Sequence, residues 1–115
     1  MSNASDSIVP LRRLSDVVSS GTPGANTDFF TTDVTVPTAC HRLSVAVALA
    51  SAGTVGIKFT NIGTTVLKFN GGTALTADCA YTFVVGCRPG ETVNFQTSSA
   101  GALRQFLVEG VYGYI

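Results

Sequence analysis

The chain has 115 residues, 45 % of them apolar and only 12 % charged, with 7 basic and 7 acidic side chains that cancel. That length suits one domain with a single core, and the weak, balanced charge argues against nucleic acid and anionic lipid as partners. No apolar run approaches the roughly 20 residues of a membrane span, and the sparse charge suits a soluble chain that hides surface against copies of itself or other proteins.

Residues 1–27 are polar and rich in Ser, Gly, Pro and Asn, and read as a flexible N-terminal arm. Ile8-Val9 is cut off by Pro10 and then Arg12-Arg13, so the apolar core of a secretory signal is not expected. Within the arm, Pro10, Leu11, Leu14, Val17 and Val18 have the spacing of a short amphipathic helix that stops before Gly21; an extended arm fits equally well. Gly21, Pro23, Gly24 and Asn26 then make a connector.

From residue 28 to 115 the chain alternates apolar and polar residues with a turn about every ten to twelve positions, the pattern of an all-β domain. An antiparallel β-sandwich or jelly-roll-like barrel of about seven to eight strands follows. Seven segments carry the alternation: Phe29–Val36, Arg42–Ala50, Thr54–Thr60, Thr64–Asn70, Ala80–Val85, Thr92–Ser98 and Leu103–Tyr114. Arg88-Pro89-Gly90-Glu91 has the residues of a type II turn, because Pro fixes φ near −65° and Gly accepts the positive φ that follows. Gly71-Gly72 reads as a hairpin turn, and Thr54–Thr60 with Thr64–Asn70 as a hairpin whose Val55, Ile57, Phe59, Leu67 and Phe69 face inward.

In Arg42–Ala50 the residues Leu43, Val45, Val47 and Leu49 form a core face, whereas Ser44, Ala46, Ala48 and Ala50 form an outer face that is small and nearly apolar. A solvated face carries longer polar side chains, so this one is expected against another strand layer, the arm or a neighbouring subunit. The last strand is apolar on both faces, with Gly110 as a candidate bulge and with Tyr112 and Tyr114 expected in core or interface packing. A central or interface position suits it.

Catalytic chemistry finds little support. The single histidine, His41, adjoins Cys40, but neighbours on a strand point to opposite faces and so do not share a proton. The three cysteines lack Cys-x-x-Cys spacing, no metal-ligand pattern is present, and Cys79 and Cys87 flank an extended run that holds them roughly 26 Å apart. Buried, unpaired thiols are expected for at least two of them. Asp33 and Glu109 would meet only if the first and last strands paired, and the glycines do not follow a phosphate-loop spacing. The reading is a non-enzyme with no cofactor and no metal.

The stretch Thr54–Ser98 carries Asn70-Gly71-Gly72, Leu75-Thr76-Ala77, Tyr81-Thr82-Phe83 and Gly90-Glu91-Thr92-Val93-Asn94-Phe95. This resembles a recurrent pattern in small structural proteins of tailed bacteriophages. The resemblance implies a virion protein made in the host cytoplasm, a head decoration (cement) protein on the capsid surface that trimerises and binds the major capsid protein or another virion protein. It also implies that the arm does the binding, which here puts Pro10, Leu11, Arg12, Arg13 and Leu14 forward as shell contacts. Ala46, Ala48, Ala50, Tyr112 and Tyr114 are the expected oligomer contacts. The alternative is a carbohydrate- or receptor-binding module of a phage tail or fibre, working through Asn61–Gly63, Arg88–Glu91 and exposed tyrosines.

Overall fold

The computed structural model describes residues 11–18, 24–63, 65–99 and 103–111. They form an antiparallel β-sandwich of eight strands: β1 (Leu11–Val18), β2 (Val34–Thr35), β3 (Arg42–Leu49), β4 (Val55–Phe59), β5 (Leu67–Lys68), β6 (Ala80–Gly86), β7 (Thr92–Thr97) and β8 (Leu103–Val111). One sheet has the order β1-β8-β3-β6 and the other β2-β7-β4-β5. Apart from the hairpin β4–β5, every connection carries the chain from one sheet to the other, so the two layers are stitched together along the whole sequence.

The period-two pattern explains the core. Leu43, Val45, Val47 and Leu49 of β3, Val55 and Ile57 of β4, Val93 and Phe95 of β7, and Phe106 and Val108 of β8 are all buried between the sheets. Phe106 is the hub: its ring lies 4.8 Å from Phe29 in an edge arrangement and 4.8 Å from Phe95. Each such side chain taken out of water contributes about 1.5–3 kcal/mol, with a further ~1 kcal/mol from well-placed ring pairs. The aromatic cluster therefore couples β7 in one sheet to β8 in the other.

The segment Leu11–Val18, for which helical and extended forms fitted equally well, is extended, and it pairs with β8 from Leu11↔Val111 to Val18↔Gln105. Other expectations are corrected. Phe29–Val36 is a strand only at Val34–Thr35; Phe29–Asp33 is irregular, because buried Asn94 takes over the hydrogen bonds of Phe30 that a strand partner would otherwise supply. Gly110 is in regular register with Leu43 and Arg12, and the irregularities of β8's pairing lie opposite Arg13/Ser15 and Ala48/Leu49 instead. The second of these shifts Leu103 to the inner face, where it is buried.

Leu67 points outward and is 55 % exposed, whereas Phe69 is buried as expected. β5 is too short to impose the alternation, because the chain leaves it at once for a tight turn: Asn70, Gly71 and Gly72 all have positive φ, at 55°, 63° and 84°. That turn is no hairpin: it leads through the bridge Gly53↔Leu75 to β6 in the other sheet. The Arg88–Glu91 turn is as read, with Gly90 at φ 88° and the Glu91 amide donating to Arg88 O at 3.2 Å.

Candidate functional site

The sheet β1-β8-β3-β6 has an outer face as well as a core face. The registers Ala46↔Thr82, Ala48↔Ala80, Ala46↔Leu107 and Ala48↔Gln105 place these side chains together around the middle of β3. Ala46, Ala48 and Leu107 are half-buried there, and the small alanines leave a shallow groove of about 140 Å³ between β6 and β8. Its rim is polar but uncharged, formed by Thr82 and Gln105. Charge flanks it on several sides: Glu109 is opposite Ser44, Asp16 of β1 is in register with Leu107, Arg42 is exposed at the start of β3, and Arg104 pairs with Asp78 at 2.7 Å between Nη2 and Oδ1.

Of the residues singled out in the sequence, Ala46 and Ala48 belong to this face and Ala50 is exposed just beyond the end of β3. Leu11, Arg12, Arg13 and Leu14 belong to β1, which flanks β8 at the edge of the same sheet. Pro10, Tyr112 and Tyr114 lie outside the described residues. The sequence reading missed the contribution of β6, although the small and β-branched residues at its even positions, Ala80, Thr82 and Val84, carry the same signal as the alanines of β3.

The groups considered for catalysis are not brought together. His41 is exposed, while Cys40 is fully buried and its thiol donates to Arg42 O at 3.2 Å. Asp33 immediately precedes β2 in one sheet and Glu109 lies on β8 in the other; the Asp33 carboxylate accepts a bond from Asn94 Nδ2 at 2.7 Å. Among the described residues no three His, Cys, Asp or Glu side chains converge as metal ligands. Tyr81, the tyrosine considered for sugar stacking, is half-buried beside Phe83, and its hydroxyl accepts from the Thr76 amide at 3.0 Å.

Two polar clusters are structural. Lys58 Nζ donates to Asp28 Oδ1 at 2.8 Å and Oδ2 at 3.1 Å, and Gln96 Nε2 donates to Oδ1 at 2.8 Å. Burial opposes ionisation of Asp28, but the hydrogen bonds from Lys58 and Gln96 and the lysine's charge outweigh it and hold the carboxyl below its ordinary value. Cys87 packs against the core near Cys40, and burial, then the neighbouring Cys40 thiol and Glu91, push its pKa up to about 12. Such a thiol is a poor nucleophile at neutral pH.

No known family model, curated protein or solved structure matches this chain.

Proposed function

We propose that the chain is a structural subunit of a tailed-phage virion: a decoration (cement) protein that binds the major capsid protein or another shell protein as a homo-oligomer, the homotrimer that the sequence resemblance implies. The observation that carries this reading is the outer face around Ala46, Ala48 and Leu107, whose shallow groove has a small, half-buried and uncharged lining where a solvated sheet would present long polar side chains. Such a surface suits burial against protein. Many modest contacts repeated by symmetry would clamp neighbouring shell subunits through avidity, with no covalent step.

The test is cosedimentation of the full chain with assembled, undecorated phage shells. Wild-type protein should saturate a fixed number of sites per shell, and Ala46→Arg with Ala48→Arg should abolish binding while leaving the β-sheet circular dichroism unchanged. Failure of the wild type to bind any shell overturns the assignment, and full binding by the variant removes this face from it. Saturable glycan binding by the wild type in place of shell binding would replace it with the receptor-binding reading.

A further inference from the structure

Each sheet of a sandwich ends in strands with unpaired backbone groups, and proteins guard such edges by keeping them short or placing charge on them. Three of the four edges here follow that rule. β2 and β5 are two residues long, β5 includes Lys68, and β1 contains Arg12, Arg13 and Asp16. The fourth, β6, does not: Ala80-Tyr81-Thr82-Phe83-Val84-Val85-Gly86 spans seven residues without a charge or a proline, and among the described residues its only strand partner is β3.

Exposed apolar side chains occur on β6 and beside its end. Ile62, Leu67 and Val84 are 73 %, 55 % and 60 % exposed, and Ile62 and Leu67 share a groove with Gly86, Cys87 and Arg88 at the end of β6. Phe83 stacks on Phe69 at 4.9 Å, which closes the gap between the sheets below this edge.

The sequence around β6 is close to a palindrome about Phe83. Asp78-Cys79-Ala80-Tyr81-Thr82 precedes it and Val84-Val85-Gly86-Cys87-Arg88 follows it. An antiparallel partner related by a two-fold axis through Phe83 sets Thr82 opposite Val84, Tyr81 opposite Val85 and Ala80 opposite Gly86 within the strand. These pairs are favourable: β-branched with β-branched, aromatic with β-branched and small with small. Beyond the strand, the antiparallel arrangement brings the turn residue Asp78 (φ 60°) of one copy to the end where Arg88 of the other leaves β6, so opposite charges meet at both ends. Asp78 is exposed and already meets Arg104 on its own sheet, so its carboxylate stands at the surface where a second cation adds to the pair.

We infer that β6 is a self-association edge, joining two copies of this chain through an antiparallel β6–β6 pairing centred on Phe83 that continues the sheet from one copy into the other. The occupant is a second copy because the charge pattern complements itself in this register. The strand pair runs about 23 Å. It needs the flanking Ile62, Leu67 and Val84 to approach the ~1,200 Å² of a stable interface, which places it among weaker, concentration-dependent contacts. The inference does not depend on the shell-binding reading, since it concerns the free chain.

The experiment is light scattering coupled to size exclusion of the full chain across concentrations up to roughly the hundred-micromolar range in which such contacts are populated. The double variant Thr82→Lys with Val84→Lys changes two exposed positions and sets lysine opposite lysine across the axis, so the wild type should show twice the variant's mass at the highest concentration. Arg88→Asp should shift the association midpoint about tenfold upward by setting Asp against Asp, and adding Asp78→Arg should restore it. Circular dichroism identifies any variant that fails to fold, and the charge swap supplies a second, independent readout. A wild type that stays monomeric, or an oligomer whose mass is the same in the lysine variant, overturns the proposal.

Discussion

Asn94 is the most informative side chain to remove. It is fully buried, its Oδ1 accepts from the Phe30 amide at 3.1 Å and the Phe95 amide at 2.9 Å, and its Nδ2 donates to Phe30 O at 2.8 Å and Asp33 Oδ1 at 2.7 Å. Asn94→Ala leaves the Phe30 amide and carbonyl, and with them the Phe95 amide, without these partners beside the aromatic core. A buried polar group stripped of its partner costs ~1–3 kcal/mol, so the two Phe30 groups alone cost about 2–6 kcal/mol, against a total stability of ~5–15 kcal/mol for a domain. Asp33 keeps access to water and adds little. The assay is urea denaturation followed by circular dichroism, with Asn94→Asp as a second variant. The aspartate cannot donate to Phe30 O and faces the Asp33 carboxylate, so its own pKa rises in the fold and its stability should recover as the pH falls toward that value. A loss below about 1 kcal/mol for Asn94→Ala would refute the reasoning, because it would mean that water or a rearranged Phe29–Asp33 segment satisfies Phe30 equally well.

Because Asp28 titrates below 3.8 in the fold, its pairing stabilises the protein above that pH and the contribution fades as the pH falls through the lowered folded value. Asp28→Asn should therefore lower the urea midpoint slightly at pH 7, by an amount near the ~1 kcal/mol ceiling of partly exposed pairs, and match the wild type in strong acid. Maleimide labelling at pH 8, read by mass spectrometry, should modify Cys79 in the native state and spare Cys40 and Cys87, since Cys79 is exposed, Cys40 is buried and the Cys87 thiol is pushed up to about 12; Cys79→Ser should abolish the native signal. Ala39 has φ 68° at the third position of the turn closed by Cys40 N–H donating to Pro37 O, so Ala39→Gly should raise thermal stability, the relief of a left-handed residue being worth up to about 1 kcal/mol.

The sequence made the strands legible wherever strict alternation ran for five residues or more with one buried face. β3, β4, β6 and β7 start and stop within one residue of their expected limits, because Val, Ile and Phe at alternate positions leave a single choice of register. Legibility failed where a side chain, rather than a strand partner, satisfies the backbone. Nothing in the pattern of Phe29–Asp33 announces that Asn94, more than sixty residues later, will hold Phe30. It failed again where positive φ at three successive residues turns Asn70–Gly72 out of its sheet, since Asn-Gly-Gly is equally the signature of a hairpin. The candidate surface was half visible: the alanines of β3 identified a face, but the partners that complete it, Ala80, Thr82 and Gln105, depend on which strands lie to either side.

The pairing of Leu11 with Val111 has a consequence for how the chain is put together. β1 begins where β8 stops, so the most distant pairing in the sequence joins two strand ends that a short turn would connect. A permuted chain that runs from β8 into β1 and opens instead at the exposed loop around Ile62 would turn the longest closure in the fold into its most local one, and a fold built from nearer neighbours assembles faster.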